Sequence, residues 1–386
     1  MENTFFKLLI VILFLILISA NSSFANNTFI LAELRSRDCS RLTFDTNELP
    51  SEIDSAVMEY AVKMNSRILV QVVDPQRIHY NIGYDGRNNM QIKDFDAEYI
   101  DIGSCTKMFT AASVLQLVEE GKIKLTDRLT EIFPDESILR GMLVINGIDY
   151  IDSVTLLNLL NHTSGIPDYF RSNDSIEISI HGDSSLRFIP WDLVAIAKEI
   201  NKPEFIPGSM YKYSNTNYIL LGLIIEKFSK MNYADYIVKN ILQPLGMENT
   251  FLPSVFTLPG RKDGHYHKKL SQMPATLAWS AGEIISTPAD MNKFIRGWYS
   301  GKLFSDNMCN EIRSMYFNQA FGKYDYGLGI IKGPANCFGH GGQTFGFQSY
   351  IGCTTGGYSF AIGIDDAAVS VYPLESIVVY SLMSLN

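Results

Sequence analysis

The spacing of apolar positions changes twice along the chain and predicts three kinds of segment. Residues 52–64 have an amphipathic helical pattern, and β-rich runs follow at Arg67–Val73 and 77–82, on either side of a turn that contains Pro75. From Ser104 to about Leu245 the apolar positions recur with helical spacing. The helices predicted there are 106–120, 155–160, 191–200 and 218–228.

Short, glycine-bounded runs rich in β-forming residues fill the last third of the chain. They predict strands at 326–331, 337–341, 347–352 and 358–364, before a last helix at 373–385. Strands, then helices, then strands indicate an α+β fold. We expect one antiparallel sheet flanked by helices and built from both chain ends, with an inserted all-helical lobe. The sheet lobe would take about 50–103 and 275–386, and the helical lobe about 104–274.

An uninterrupted apolar run, residues 8–20, follows Lys7 near the amino terminus. It is short for a membrane-spanning helix, which needs about 20 apolar residues. Ser23 and Ala25 suit the −3 and −1 positions of a signal-peptide cleavage site. We therefore expect a signal peptide at 1–25, a domain at 26–386, and export to the periplasm or the exterior. Contact with a membrane is expected only through an uncleaved signal segment.

The composition is that of a globular protein with a large core. The chain has 386 residues, of which 46% are hydrophobic and 19% charged, and its net charge is −9. Lys and Arg form no run longer than a pair, so the sequence lacks the basic patch that binds phosphate backbones. We expect no nucleic-acid partner.

The cysteines and histidines do not predict a metal site. The five cysteines are scattered and suit neither a disulfide framework nor a zinc centre. Cys337 and Cys353 flank a predicted hairpin, which leaves a bridge between them open. His265 and His267 lie in a basic loop and form an incomplete set of ligands. We expect no metal and no cofactor.

A serine and a lysine three residues apart open the first predicted helix of the middle segment. On a helix Ser104 and Lys107 share a face, so the amine can reach the hydroxyl, and the free N–H groups at the helix start favour developing negative charge. The other interpretation is that Ser104 caps the helix and Lys107 is solvated. Ser209 and Lys212 have the same spacing but do not open a clear helix, so we interpret that pair as a coincidence.

Two further motifs supply groups that acyl transfer needs. Tyr213 could act as a general base if a nearby cation such as Lys107 lowers its pKa, and the Asn215 amide could orient the lysine and bind a substrate carbonyl. The alternative is a tyrosine packed in the core and an asparagine that starts a helix.

The second of these motifs ends a predicted strand. His340 would direct a donor into the pocket, while Gly341 and Gly342 would let a substrate lie along the strand edge. Backbone N–H groups of Ser104 and Gln343 would form the oxyanion hole. A histidine near glycines can also be an ordinary turn residue.

Taken together and in this order, the motifs resemble those of the serine β-lactamases and low-molecular-weight penicillin-binding proteins. Within that family, the chain resembles the branch that contains class C β-lactamases, D-alanyl-D-alanine carboxypeptidases and related esterases. These proteins carry Ser-x-x-Lys, Tyr-x-Asn and Lys/His-x-Gly elements in this order. The resemblance runs from about residue 50 to the C-terminus. Further matching segments are 103–110, 119–122, 160–165, 207–208, 244–247, 281–282, 286–287 and 339–347.

The resemblance implies a covalent acyl-enzyme on Ser104, with Lys107 as its proton-handling partner. Tyr213 would be the base that activates the serine and later the deacylating water, and Asn215 would bind the substrate amide. His162 looks structural. The implied ligand is a small molecule or a peptide: a D-amino-acid peptide, an ester or a β-lactam.

His340 stands where β-lactamases usually have a lysine. Lysine is a permanent cation suited to a β-lactam carboxylate, whereas histidine is only partly charged near neutral pH. We therefore expect a D-alanyl-D-alanine carboxypeptidase-like peptidase or an esterase. A class C β-lactamase and a non-catalytic, penicillin-binding sensor or scaffold are the alternatives. A lipase-like esterase is a further alternative, but the sequence lacks the G-x-S-x-G motif that carries the serine in such enzymes, so it would have to use the Ser-x-x-Lys chemistry.

Overall fold

The computed structural model describes residues 49–93, 98–170, 187–200, 203, 205–254, 275–314, 317–321 and 324–384. From Pro50 onward they belong to one compact unit, Pro50–Asn386. The predicted signal peptide and the two loop histidines, His265 and His267, lie outside the described residues.

Most strands of the described residues join one large sheet. The strands are β1 (Arg67–Val73), β2 (His79–Asp85), β3 (Met90–Ile92), β4 (Ile100–Asp101), β5 (Val144–Ile145), β6 (Ile148–Asp149), β7 (Ile285–Ser286), β8 (Phe317–Phe321), β9 (Tyr324–Tyr326), β10 (Ile331–Lys332), β11 (Phe338–Gln343), β12 (Gln348–Cys353) and β13 (Ser359–Ile364). Nine of them form an antiparallel sheet in the order β3-β2-β1-β13-β12-β11-β10-β9-β8. β4 pairs with β7, and β5 with β6.

The two ends of the described chain meet in the middle of the sheet. β1 pairs with β2 on one side and with β13 on the other, so that Ile68 lies opposite both Tyr84 and Ile364. β1 is buried along almost its whole length because five of its seven residues are Ile, Leu or Val. The predicted antiparallel sheet built from both chain ends is therefore confirmed.

Helices cover the sheet and fill the middle of the chain. They are α1 (Leu49–Met64), α2 (Thr106–Glu119), α3 (Leu129–Ile132), α4 (Leu156–Leu160), α5 (Pro190–Ile200), α6 (Asn215–Ser229), α7 (Tyr233–Ile237), α8 (Gln243–Leu245), α9 (Ala275–Ala278), α10 (Pro288–Tyr299), α11 (Asp306–Ser314) and α12 (Tyr372–Met383). The segment predicted as all-helical also contains the small β5–β6 hairpin. In the part of the chain described, no helix has both the length and the apolar character needed to cross a membrane.

α2 occupies the centre of the fold. Its residues are mostly small or apolar and are buried on nearly every side, and its Phe109 ring stacks on Phe294 of α10 at 3.6 Å between centroids. The helix ends at Glu119, and Gly121 follows with a φ of +70° that suits a helix C-terminus. The helix is thus packed in the interior of the fold along most of its length.

The strand predicted at 326–331 is wrong. The chain instead makes a tight hairpin there, with β9 ending at Tyr326 and β10 beginning at Ile331, directly opposite it. Gly329 has a φ of +76°, and the N–H of Gly327 donates to the Ile330 carbonyl. A continuous strand cannot contain that left-handed residue, because it reverses the backbone direction.

Candidate active site

Ser104 lies in a short 3₁₀ turn, Gly103–Cys105, that leads directly into α2. The N–H of Ile102, just before the turn, donates to the Ile284 carbonyl at 3.0 Å, which ties this segment to the strand pair β4–β7. Gly103 has a φ of +49°, a left-handed value that glycine adopts without strain. Ser104 is half-buried, and the helix begins two residues after it.

Lys107 is completely buried, with 0% of its surface exposed. Its Nζ lies 3.2 Å from Ser104 Oγ, 2.8 Å from Asn215 Oδ1 and 2.7 Å from the carbonyl oxygen of Ala281. The interpretation of Lys107 as a solvated first-turn residue is therefore wrong. Two carbonyl oxygens hold the amine against the hydroxyl of Ser104.

Asn215 is the first residue of α6, and its amide lies between Lys107 and the carboxylate of Asp168. Asn215 Nδ2 is 3.1 and 3.3 Å from the two carboxylate oxygens, and the Asn215 backbone N–H donates to Asp168 Oδ1 at 3.1 Å. Asp168 is 8% exposed. The sequence motifs do not include it. Its position three residues after Gly165, the end of one of the matching segments, is the signal that points to it.

Tyr213 lies beside the buried amine, in the extended segment before α6. Lys107 Nζ is 4.9 Å from the centroid of its ring. On another side the ring packs against His162, at 4.2 Å between centroids. His162 is buried, and its Nδ1 accepts the backbone N–H of Ser214 at 3.2 Å. His162 therefore supports the segment that carries Tyr213, in keeping with the structural role expected of it.

His340 lies on β11 with its ring buried, 2% exposed. Nδ1 is 2.6 Å from the carbonyl oxygen of Gly341, and Nε2 is 3.0 Å from the hydroxyl of Tyr326. A carbonyl oxygen only accepts, so Nδ1 carries the proton and Nε2 accepts from Tyr326. Burial, and to a smaller extent the Lys107 charge, lower the pKa of His340 to about 3, although the bond to Gly341 opposes them.

This geometry differs from the expectation for His340. We expected a partly charged ring that directs a donor into the pocket. The buried ring is neutral at neutral pH, and both of its nitrogens are engaged by Gly341 and Tyr326. The difference arises from burial, which sequence spacing does not report.

β11 runs closely past the turn that carries Ser104. A Cβ on Gly342 would lie 2.0 Å from the Ile102 carbonyl oxygen, and one on Gly103 would lie 2.8 Å from the backbone nitrogen of Gln343. The Gln343 side chain is exposed and donates to the Ala367 carbonyl, so its backbone is the part next to Gly103. The two backbone segments predicted to form the oxyanion hole thus lie side by side.

Gly341 faces the other side of the sheet. A Cβ on it would lie 2.8 Å from the hydroxyl of Tyr372 on α12. Gly341 and Gln343 share this face of β11, so their side-chain positions point away from Ser104, whereas Gly342 between them faces the turn that carries it.

The second serine–lysine pair is not built like the first. Ser209 is exposed, and its hydroxyl donates to the Ile206 carbonyl at 2.6 Å. Residues 210–214, which include Lys212, are not helical, so nothing places the two side chains on one helix face. The geometry agrees with the interpretation of this pair as a coincidence.

The described cysteines are all buried free thiols: Cys105, Cys309, Cys337 and Cys353. The bridge left open between Cys337 and Cys353 is therefore not present in this structure. The sulfur of Cys105, next to Ser104, is 3.1 Å from the His340 carbonyl oxygen. Within the described residues, no three His, Cys, Asp or Glu side chains gather in a group that could hold a metal ion.

Two phenyl rings come from segments that carry site residues. Phe170 lies two residues after Asp168, and Phe345 two residues after Gln343. Their rings stack with 6.4 Å between centroids and an angle of 26°. Phe170 is 38% exposed, so the pair presents apolar surface to solvent near the site.

A family model described as "Beta-lactamase" matches residues 68–363, which is most of the chain. The chain belongs to the beta-lactamase family. By family, it is a serine hydrolase. The matched range contains the serine–lysine pair, the Tyr213 segment and β11, so the family assignment covers the whole candidate site.

This beta-lactamase family member is similar to curated proteins over about half its length. It is 32% identical over 192 residues to Penicillin-binding protein 4* of Bacillus subtilis (strain 168), and 29% identical over 208 residues to Protein flp of Staphylococcus aureus (strain COL). These matches cover 49% and 53% of the chain and 38% and 39% of the relatives. The matched part is thus well under half of each relative.

Solved structures resemble this chain over more of its length. A D-stereospecific amidohydrolase from Streptomyces sp. is 25% identical with a TM-score of 0.71, covering 84% of this chain and 97% of that one. D-amino acid amidase from Ochrobactrum anthropi SV3, complexed with L-phenylalanine amide, is 22% identical with a TM-score of 0.72, covering 88% and 98%. At 22% identity, the likeness to the D-amino acid amidase shows a shared fold.

Proposed function

We propose that this serine hydrolase cleaves amide or ester bonds of small substrates, D-amino-acid peptides and amides among them, through a covalent ester on Ser104. The observation that carries the proposal is the 3.2 Å contact between Lys107 Nζ and Ser104 Oγ, because two carbonyl oxygens hold the buried amine in place. A nucleophile within hydrogen-bond reach of an oriented base is the arrangement that covalent acyl transfer needs.

In the first half of the reaction, Ser104 Oγ attacks the substrate carbonyl carbon while its proton passes to Lys107 or, through it, to Tyr213. The carbonyl becomes an oxyanion, which the backbone N–H groups of Ser104 and Gln343 would stabilise. When the oxyanion collapses, the bond to the leaving amine or alkoxide breaks, and the leaving group takes the proton. Ser104 is then an ester of the acyl group.

In the second half, water replaces the leaving group. Tyr213 or Lys107 takes a proton from the water as its oxygen attacks the ester carbon. Collapse of this second oxyanion releases the carboxylic acid, and the proton returns to Ser104 Oγ. No net proton is left on the site.

The state of His340 favours amides and esters over β-lactams as substrates. A lysine at this position would offer a cation to a β-lactam carboxylate, whereas the buried ring of His340 stays neutral because its pKa is lowered to about 3. We therefore propose that any class C β-lactamase activity is slow compared with amide or ester hydrolysis.

The two stacked phenyl rings favour substrates with an apolar group near the scissile bond. Phe170 and Phe345 present a partly exposed aromatic surface beside the segments of Asp168 and Gln343. One of the solved structures that share the fold is a D-amino acid amidase complexed with L-phenylalanine amide, an amide that carries an aromatic ring. An aromatic D-amino-acid amide is accordingly the first substrate to test.

Intact-mass analysis of the purified protein tests the proposal. Separate samples receive a fluorophosphonate, a penicillin, a short acyl ester, a D-alanyl-D-alanine peptide and D-phenylalanine amide. We expect an adduct on Ser104 with the fluorophosphonate, turnover of the amide or ester, and neither in Ser104→Ala. Ser209→Ala is the matched control and should behave like the wild type.

The other outcomes separate the competing functions. Absence of any adduct on Ser104 would refute the proposed nucleophile. A penicilloyl adduct that persists, with no turnover of amide or ester, would instead support a penicillin-binding sensor. Rapid penicillin hydrolysis would support a β-lactamase of class C type.

We further propose that the protein is exported after cleavage behind Ala25. The apolar run at 8–20 and the small residues that follow it support this proposal. N-terminal sequencing of the protein from extracytoplasmic fractions should begin at residue 26. An N-terminus at Met1 in a membrane fraction would mean that the segment is retained as an anchor.

A further inference from the structure

Asp168 is tied to the candidate site by several short contacts. Its Oδ1 accepts the backbone N–H groups of Asn215 and Phe170, both at 3.1 Å. Its Oδ2 accepts from Asn215 Nδ2 at 3.1 Å. Two backbone donors therefore fix one carboxylate oxygen, and the other oxygen faces the side-chain amide of Asn215.

The side-chain amide of Asn215 can face Lys107 with its oxygen or with its nitrogen, because the two orientations have the same shape. An ionised carboxylate only accepts hydrogen bonds, so it requires the NH₂ group of Asn215 on its own side. The oxygen of Asn215 must then point at Lys107. In the structure this oxygen lies 2.8 Å from Nζ.

The orientation of the amide decides where a neutral Lys107 directs its lone pair. A neutral amine has two hydrogens and one lone pair, and the contacts of Lys107 Nζ include two carbonyl oxygens and one hydroxyl. The carbonyl oxygens of Asn215 and Ala281 can only accept, so they take the two hydrogens. The lone pair is left for Ser104 Oγ, the partner that can donate a proton.

We propose that Asp168 is a positioning residue for acyl transfer: by holding the NH₂ group of Asn215, it turns the amide oxygen to Lys107 and directs the amine lone pair at Ser104. The inference rests on the proposed function, since it concerns the same nucleophile and base. The role of Asp168 acts through the side-chain amide of Asn215, which lies between it and Lys107.

Asp168→Asn is the sharpest test, because it keeps the shape of the side chain. Its oxygen would stay with the two backbone N–H groups, which places its NH₂ group where Oδ2 is now. Two NH₂ groups would then face each other across 3.1 Å, and the NH₂ group of Asn215 would keep only its longer contact, 3.3 Å, with the retained oxygen. We expect the Asn215 amide to turn over to relieve the repulsion. Lys107 would direct its lone pair at Asn215 instead of at Ser104.

We expect Asp168→Asn to slow acylation of Ser104 by the fluorophosphonate by about 100-fold, the lower end of what general-base catalysis contributes, because the base is misdirected and not removed. The acidic limb of the pH–rate profile should move to lower pH, because the lost carboxylate charge and the turned amide both disfavour protonated Lys107. A purely structural change would lower the folded fraction without moving this limb.

Other titratable groups around Lys107 must be separated from this effect. Cys105, Tyr213, Tyr218 and His340 all face it. Burial raises the pKa of Cys105 to about 12 and lowers that of His340 to about 3, so both stay uncharged in the range measured. An NMR titration of the Lys107 ε-carbon, assigned with Lys107→Arg, reports protonation of the lysine alone.

Asp290→Asn is the matched control. Asp290 is a buried carboxylate far along the chain that accepts the backbone N–H of Asn249 and the hydroxyl of Thr250. This control should lose stability without changing the acylation rate per folded molecule or the titration of Lys107.

Two results would overturn the inference: an unchanged acylation rate and pH limb in Asp168→Asn, or a Lys107 titration identical to that of the wild type. The titration does not require turnover. The two proposals can also fail separately. If Asp168→Asn changes the Lys107 titration as expected but Ser104 of the wild type forms no adduct, the proposed function is contradicted and the positioning role of Asp168 stands.

Discussion

Single glycines set the distance between β11 and the turn that carries Ser104. Gly342→Ala would place a methyl group 2.0 Å from the Ile102 carbonyl oxygen, so either the strand or the turn must move. We expect acylation of Ser104 to slow by about 100-fold or more, because the oxyanion donors depend on this contact. Stopped-flow acylation with a chromogenic ester measures the effect.

Gly341→Ala is the control for that prediction. Its methyl group would meet the end of the Tyr372 side chain on the opposite face of the sheet, and a side chain can shift more easily than backbone. Its acylation rate should stay within a few-fold of the wild type. Equal losses in the two variants would show that strand flexibility, rather than the approach to Ile102, controls the site.

His340 makes the stability of the protein depend on pH in the acidic range. Burial lowers its pKa from an ordinary 6.5 to about 3, so the unfolded chain takes up a proton that the folded chain refuses. The stabilising contribution is complete above pH 6.5 and is lost as the pH falls toward 3. As the pH falls from 6.5 to 4, this residue should lower the free energy of unfolding of the wild type by on the order of 3 kcal/mol.

Urea unfolding of His340→Gln at several pH values measures this contribution. The difference in unfolding free energy between wild type and variant should shrink as the pH falls, because glutamine does not titrate. His79→Gln, at an exposed position on β2, should run parallel to the wild type. A constant difference for His340→Gln would mean that the ring binds its proton with the same pKa in the folded and the unfolded protein.

At the residue scale, the sequence predicted the proximity of Ser104, Lys107 and Asn215, but not the contact with Asp168 or the neutral state of His340. Ser104 lies in the 3₁₀ turn that leads into α2 and Lys107 in the first turn of α2, so their separation of three residues brings them together. Asp168 reaches Asn215 across 47 positions, and a hydrogen bond of that range leaves no local pattern. The neutral state of His340 depends on how deeply β11 is buried, which spacing does not encode either.

Length explains part of which elements the sequence predicts. The helix predicted at 106–120 is observed at Thr106–Glu119, and the strand predicted at Arg67–Val73 is observed unchanged. The strands β4 and β7 have two residues each, too few to show an alternating pattern. α10 has an amphipathic pattern, with Thr287 accepting the N–H of Asp290 at its start, but it was not assigned from the sequence.

Two buried carboxyl groups lie at the β4–β7 pair: Asp101 in β4, and Glu283 two residues before β7. Burial raises the pKa of Asp101 to about 8 and that of Glu283 to about 7, and Glu283 accepts the backbone N–H of Ser254. The folded chain keeps protons here that the unfolded chain releases above its ordinary carboxyl pKa. The stabilising contribution of these groups is therefore present at low pH and lost as the pH rises through about 7 to 8.

Glu283→Gln should remove part of this loss. Relative to the wild type, its unfolding free energy should rise by on the order of 2 kcal/mol between pH 5 and pH 8.5, because glutamine stays neutral. Glu59→Gln, at an exposed position on α1, should show no such trend. Thermal unfolding of both variants and the wild type across this pH range measures these differences. If the difference between Glu283→Gln and the wild type does not change with pH, the Glu283 carboxyl is ionised in the folded protein.

For the molecule as a whole, one buried core joins the nucleophile helix to the sheet. The core includes Phe109 of α2, Leu220 of α6 and Ile351 of β12, which come from distant parts of the chain. The order of predicted elements sufficed for this architecture, since strands from both chain ends have to pair in one sheet. The sequence does not predict the close contacts between the sheet and the helices, because these contacts depend on turns such as the one at Gly329.

Gly329 is the point where the C-terminal strands touch both central helices. It has a φ of +76°, and a Cβ there would lie 2.3 Å from the Cβ of Ala111 on α2 and 3.0 Å from the hydroxyl of Tyr218 on α6. Gly329→Ala should therefore lose stability in two ways. The left-handed backbone costs about 1–2 kcal/mol for alanine, and overpacking of the core costs roughly 1–3 kcal/mol more.

Gly357→Ala separates these two costs. Gly357 has a similar φ of +85°, but its nearest neighbours are atoms of Pro75 at 3.5 Å or more, an ordinary contact distance. It should lose only the backbone cost of about 1–2 kcal/mol in urea unfolding. Since Gly329 also touches the helix that begins beside Ser104, Gly329→Ala should slow acylation as well as unfold more easily, whereas Gly357→Ala should acylate at the wild-type rate. Equal stability losses and equal acylation rates in the two variants would show that the sheet and the helices can move apart without disturbing the site.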